Sequence, residues 1–309
     1  MGTILDGKRV AAGLRERLKG RVAALAERNA RPVLRIIRVG ERRDDLAYEK
    51  GIQSACSLLG AVCEVSALPS DASSDALLEV LRDANADGSI HGILALRPLP
   101  ERFDFEAVRA AIDPAKDIDC MSPIHLACLF EGRTDGFAPC TPEAVIEMLK
   151  AYDIPLRGAH VAVAGRSMVV GRPLAMLLLR EDATVTLCHS RTRDLPAVTR
   201  RADIVVAAVG RARFMGPDFF GPDAAVIDVG ISDDGSGKLC GDVDFERCAP
   251  RVRAISPAVG GVGAVTSTIL LEHLVRACEE QLCKRMIGRR AAWDGIASRN
   301  VENQTCTTD

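Results

Sequence analysis

The sequence predicts an α/β protein of two domains, the second built on a Rossmann-type doubly wound parallel sheet. Three observations carry this. Short β-branched apolar runs alternate with helical stretches along most of the chain. The 309 residues suffice for two cores of ordinary size. Finally, His160 to Pro173 reads as an apolar strand that breaks at Gly165 and restarts as a helix beyond Gly171. A strand, a glycine turn and a helix N-terminus together make a phosphate-binding corner, because backbone N–H groups and the helix dipole point at one place.

Taken in order, residues 8–29 have a helical apolar rhythm, and 32–40 read as a strand ending in Gly40. Asp44 and Asp45 are candidate caps for a helix over 46–59. A strand at 61–65, a helix over 73–84 and a strand within 88–96 follow, the last stopped by Arg97-Pro98-Leu99-Pro100. A further helical stretch reaches Asp113, and 114–142 looks loop-rich. Thr141-Pro142-Glu143 signals a helix start, threonine capping and proline in the first turn, on a helix that links the domains. Strands are then expected at 160–164, 184–188, 204–208, 224–229 and near 252–255, with a helix over 173–179. A glycine loop at 260–263 precedes a last helix over 266–282, and 284–309 reads as a polar, irregular tail. The expected division is a substrate domain over 1–143, completed by helix 267–283, and a nucleotide domain over 144–266.

Composition excludes several classes. A net charge of −2 offers no global field for nucleic acid or anionic membrane, and 4% aromatics leave few stacking platforms. No apolar run approaches the ~20 residues of a membrane span, and the N-terminus resembles no signal peptide. The eleven cysteines are scattered without C-x-x-C or metal-ligand spacing, so no metal is expected and free thiols in a reducing cytoplasm are. Cys56, Cys63, Cys188 and Cys278 read as small core residues, while Cys120 and Cys140 lack a recognisable histidine partner.

The end of the second nucleotide-domain strand selects the cofactor. A carboxylate there would hold a ribose hydroxyl and favour NAD, but this chain offers His189, Ser190, Arg191 and Thr192, with Arg166 in the glycine corner able to reach the same region. Guanidinium groups suit a phosphate dianion, so the expected cofactor is NADP, with NAD the weaker candidate.

Tyr48, Arg97-Pro-Leu-Pro100, Lys116-Asp-Ile-Asp119, Pro139-Cys-Thr-Pro142, the corner at 165–173, Asp228-Val-Gly-Ile231, Gly241-Asp-Val243 and Pro257-Ala-Val-Gly-Gly-Val-Gly263 occur in one order. In that order and spacing the chain resembles the methylenetetrahydrofolate dehydrogenase/cyclohydrolase family over roughly residues 3–282. The resemblance implies a cleft between the domains, an N-terminal folate-binding domain, tetrahydrofolate as substrate and a homodimer. It implies catalytic roles for Tyr48, stacked on the pterin, and Asp119, bonded to its polar edge. Ile52, Leu96, Arg97, Pro98, Leu99, Val259, Gly260 and Gly261 fall at substrate positions. Thr141, Gly165, Arg166, Ser167, Val169, Gly171, His189, Ser190, Arg191, Ala208, Val209, Gly210, Ile231 and Thr266 fall at cofactor positions.

The chain departs from the family's pattern on the folate side. The family's Tyr-x-x-x-Lys has Ile52 for its lysine, Leu96 stands for the glutamine before Leu-Pro-Leu-Pro, and Arg97 for the leucine. Cys120 replaces the glycine after Asp119, and Val259 a proline. Lys50 lies ~200° around a helix from Tyr48 and should face away. Hydride transfer needs only alignment, whereas hydrolysis needs a group that manages protons. The expectation is therefore a dehydrogenase with weak or absent cyclohydrolase activity. The alternatives are a bifunctional enzyme in which Lys50 or Arg97 compensates, and a non-catalytic nucleotide-binding subunit.

Overall fold

The computed structural model describes residues 2–304 except residue 234, with side chains as far as Met286. The chain runs β1 (Thr3–Ile4), α1 (Gly7–Glu27), β2 (Val33–Val39), α2 (Arg43–Leu59), β3 (Val62–Leu68), α3 (Ser74–Ala86), β4 (Gly92–Ala95), α4 (Phe105–Ala111), α5 (Pro123–Phe130) and α6 (Cys140–Ala151). It continues through β5 (His160–Ala164), α7 (Gly171–Arg180), β6 (Thr184–Cys188), α8 (Leu195–Thr199), β7 (Ile204–Ala207), β8 (Ala225–Asp228), β9 (Ser232–Asp233), β10 (Leu239–Cys240), α9 (Phe245–Cys248), β11 (Ala254–Ile255) and α10 (Val262–Gln304).

Two parallel sheets organise these elements, as an α/β chain requires. The first has the order β3-β2-β4, with Ile36 opposite both Val65 and Leu94. The second has the order β1-β11-β8-β7-β5-β6, and its central strands β7 and β8 are buried along their whole length. Helices α6 and α10 pack on one another, α10 also meets β2 and β4 of the first sheet, and α6 meets α7 of the second. Leu14, Leu18, Val145, Leu149, Ile269 and Leu274 belong to the core that joins them.

Capping explains several boundaries. The Asp6 carboxylate accepts from Lys8 N–H at 2.8 Å and opens α1, and Asp104 does the same for α4. Helix α2 ends where Gly60 takes a left-handed φ of 86°.

The structure corrects the sequence reading in five places. Asp44 and Asp45 lie inside the first turn of α2 rather than before it, and Asp45 pairs with Arg42 at 2.7 Å. Helix α5 occupies the stretch read as loop-rich; it is short and opens with Pro123, so it lacks a period to recognise. Helix α6 starts at Cys140 with Pro139 as its cap, not at Thr141. The first residues belong to the second sheet, because Thr3 and Ile4 pair with Ala254 and Ile255. The last helix starts at Val262 and is helical to Gln304, where an irregular tail was expected from residue 284. Extending an existing helix adds one hydrogen bond per residue fixed, without a second nucleation.

Candidate active site

A cavity of about 990 Å³ opens where the two halves meet. Its floor and one wall come from the segment after β4, where Leu96, Arg97, Pro98 and Leu99 turn the chain. Tyr48 on α2 stands over it, 43% exposed, and Asp119 lies across from it. The far wall is Cys140 and Thr141 on α6, Val169 after β5, and Thr266 on α10. Thr266 and Thr141 hydroxyls lie 3.4 Å apart.

In the cavity Arg97 Nη2 donates to Asp119 Oδ2 at 2.6 Å, and the wall also holds the Arg42–Asp45 pair. The Asp119 side chain is only 18% exposed. Burial pushes its carboxyl above the usual range; Arg97 pulls the other way and Asp117 adds to the rise. Burial also raises the Tyr48 phenol, with the Asp119 charge adding to it, so Tyr48 is a neutral donor and aromatic face at any physiological pH.

Ile52 is not on this wall. It shares the Tyr48 side of α2 but is 2% exposed and packed in the core, a turn deeper than the cavity. Lys50 is exposed and off the wall of this cavity, and the cation that meets Asp119 is Arg97. Val259, Gly260 and Gly261 line neither this cavity nor the second one described below. Their loop is held against α1 instead: Lys8 N–H donates to the Gly260 carbonyl at 3.2 Å, and a Cβ on Gly7 would fall 2.0 Å from the Gly261 oxygen.

The second cavity, of about 460 Å³, lies at the C-terminal ends of β5, β6 and β7. In the order β7-β5-β6 the chain reverses direction about β5, which is where open α/β sheets bind ligands. Gly165, Arg166, Ser167, His189, Ser190, Ala208 and Val209 line it. Gly165 has φ of 139°, and a Cβ there would stand 2.1 Å from the Ala208 carbonyl oxygen, so only glycine lets the two loops approach. Gly171 opens α7 directly behind this turn, its Cα packed on the Gly165 carbonyl. At the end of β6 no carboxylate is present. His189 Nδ1 accepts from Arg191 N–H at 3.1 Å, and the Arg166 guanidinium is exposed with no ion pair among the described residues. This donor set fits a phosphorylated nucleotide. Arg191 and Ile231 are exposed and off the cavity wall, and Gly210 is in the loop behind it. The turn from 165 to 171 contributes to both cavities, through Gly165, Arg166 and Ser167 on one side and Val169 on the other.

Two buried carboxylates escaped sequence reasoning as site organisers, although both lie in motifs that were recognised. Asp242 accepts the N–H groups of Val209, Gly210 and Arg211 at 2.6, 2.9 and 2.8 Å, which shapes the loop lining the second cavity. Asp228 accepts from Gly230, Asp242 and Val243. Burial lifts its carboxyl to about 6 against the pull of those N–H groups. Arg211, stacked on Phe214 at 4.2 Å, also lines the cavity and was not foreseen. Among the described residues no cluster of three His, Cys, Asp or Glu could hold a metal. No helix there is long and apolar enough to cross a membrane.

Fold and site together define a class: a two-domain α/β dehydrogenase with a Rossmann-type nucleotide site facing a second, substrate-sized cavity. The chain belongs to the tetrahydrofolate dehydrogenase/cyclohydrolase family; the catalytic-domain model matches residues 5–119 and the NAD(P)-binding-domain model residues 139–282. It is 49% identical over 281 residues to the bifunctional protein FolD 1 of Desulfitobacterium hafniense (strain Y51), covering 91% of this chain and 100% of that one. Among solved structures, the FolD methylenetetrahydrofolate dehydrogenase/cyclohydrolase of Campylobacter jejuni superposes with a TM-score of 0.89 at 37% identity, over 91% of this chain and 100% of that one. The Trypanosoma brucei FolD, solved with NADP cofactor and an inhibitor, gives 0.86 at 34% identity, over 91% and 98%.

Proposed function

We propose that the chain oxidises 5,10-methylenetetrahydrofolate with NADP and also hydrolyses the methenyl product, with Arg97 on Asp119 standing where the family resemblance puts a lysine. The observation that carries the hydrolase half is the 2.6 Å pair of Arg97 and Asp119 inside the cavity that Tyr48 overhangs. The bifunctional names of relatives at 47–50% identity support it.

Bound NADP supplies the hydride acceptor. The residues of this chain do the positioning. The N–H groups of the Gly165 turn and the α7 N-terminus would hold the pyrophosphate, and Arg166 and Ser190, with Arg191 just beyond the cavity wall, would hold the ribose phosphate. Val169, Thr141 and Thr266 border the folate cavity from the cofactor side and would hold the nicotinamide against the substrate, aligned for hydride transfer. Tyr48 stacks on the pterin and Asp119 bonds its polar edge. For hydrolysis, water adds to the methenyl carbon and gives a proton to Asp119; one carbon–nitrogen bond of the bridge then breaks, its nitrogen taking the hydroxyl proton, to leave the formyl product. Asp119, raised by burial, is a better base there than an ordinary carboxylate, and Arg97 holds it in place and stabilises its ionised form. A homodimer in a reducing cytoplasm is part of this reading, supported by the family resemblance and by the free thiols among the described residues.

A second reading, a dehydrogenase with weak or absent cyclohydrolase activity, is favoured by one observation: Ile52 is sealed in the core, so no amine reaches the cavity from α2. One two-by-two assay separates them, both cofactors against both reactions. Reduced NADP together with consumption of methenyltetrahydrofolate at a comparable rate upholds the bifunctional reading. Accumulation of the methenyl product favours the second, and no reduced nicotinamide with either cofactor overturns both.

A further inference from the structure

His273 on α10 is 1% exposed and borders no wall of the cavity, yet it sits directly behind it. Its Nε2 lies 3.0 Å from Glu143 Oε2 and its Nδ1 2.8 Å from the Ile118 carbonyl. A carbonyl oxygen only accepts, and so does an ionised carboxylate. Each ring nitrogen must therefore donate, which only the imidazolium can do. The Ile118 carbonyl belongs to the peptide that leads into Asp119. Glu143 lies in the first turn of α6, the turn that puts Cys140 and Thr141 on the cavity wall. One ion pair, its imidazole buried and its carboxylate a third exposed, thus ties together α10, α6 and the Asp119 segment.

Cys140 Sγ lies 3.7 Å from His273 Nδ1, so the three residues have the outline of a thiol–imidazole–carboxylate triad. The geometry argues against a nucleophile. Nδ1 is committed to the Ile118 carbonyl, and burial holds the thiol far above its ordinary range. No free base remains to take the thiol proton.

We infer that His273, as an imidazolium paired with Glu143, is a positioning residue that fixes the Asp119 segment against α6 and so sets the folate side of the cavity, an inference that rests on the function proposed above. The electrostatics agree. Burial alone would lower the His273 pKa, but Glu143 and the Ile118 carbonyl outweigh it and the net shift is upward; Arg276 acts against them. Burial would raise Glu143, and His273, with Arg276 and Arg180 adding to its pull, more than offsets it. Asp119 and His125 also feel the His273 charge.

The test has two arms. In the wild-type protein, ¹⁵N spectra at pH 7 should show both His273 ring nitrogens protonated; a neutral ring overturns the inference. In Glu143→Gln, whose side chain is a third exposed and so tolerates the change, tetrahydrofolate affinity by calorimetry should fall about tenfold while NADP affinity stays within twofold. Unchanged folate affinity, or parallel loss of both ligands, overturns the positioning role. His273→Gln should reproduce the selective loss if it folds. Failure of the wild type to bind tetrahydrofolate at all overturns the functional reading and the inference together, whereas normal wild-type binding with an unaffected variant overturns the inference alone.

Discussion

The guanidinium of Arg97 donates to the carboxylate of Asp119 at 2.6 Å, across 22 residues of sequence, and the contact lies on the wall of the larger cavity. Arg97→Leu leaves a largely buried carboxylate without its cation. The expected outcome is a loss of methenyl hydrolysis of about 10²-fold, in the range of a lost acid–base function. Hydride transfer should fall less than fivefold, because it depends on alignment rather than proton transfer. Parallel stopped-flow assays of the two steps check this; equal losses would contradict it.

Arg166 is exposed at the edge of the second cavity and carries no ion pair among the described residues. Arg166→Ala should raise the KM for NADP about tenfold, the worth of one charge-assisted hydrogen bond to phosphate, and leave the KM for NAD within twofold. A uniform rise for both cofactors would show that the residue does not read the ribose phosphate.

Gly165→Ala places a Cβ 2.1 Å from the Ala208 carbonyl oxygen at a φ of 139°, where neither loop can yield without moving its strand. Destabilisation of roughly 3 kcal/mol or more is expected, with loss of NADP binding. Thermal unfolding with and without NADP measures both, and a variant with wild-type Tm and affinity would refute the close approach.

The His273–Glu143 pair carries a pH signature. The folded-state pKa of His273 is raised, so its contribution is complete below the ordinary histidine value of 6.5 and lost as pH rises through the higher folded value. The folded-state pKa of Glu143 is lowered, so its contribution is present above 4.5 and lost as pH falls through the lower folded value. Stability from the pair is therefore greatest between these limits. Glu143→Gln should flatten both flanks of a urea-midpoint profile, most visibly above pH 6.5, with Arg276, Asp119 and His125 unchanged as neighbours. An identical profile in variant and wild type would rule the pair out as the source.

The nucleotide side was legible in the sequence because its signals are local. Gly165, the apolar run before it and the missing carboxylate after β6 all lie within 30 residues and act through the backbone. The folate side was legible as a list of positions but not as an arrangement. Ile52 shares the helical face of Tyr48, and spacing alone cannot say that one turn further along that face is core rather than cavity. The pairing of Arg97 with Asp119 and the approach of His273 to Cys140, 133 positions away, depend on how the helices stack. Asp228 and Asp242 stood in recognised motifs, yet their work is to satisfy N–H groups of loops that only the fold brings to them. Strand β1 has two residues, too few for any periodic signal.

That short strand has a wider consequence. Because Thr3 and Ile4 close the edge of the six-stranded sheet beside β11, the chain begins in the half that it returns to only after residue 139. The two halves are therefore interleaved along the gene rather than strung in series. A fragment cut at residue 139 would carry β11 as a bare edge and α10 without the α1 surface it packs on, an invitation to self-association. Any recombination that exchanges the nucleotide-binding half of this protein for another must bring the β1 segment with it.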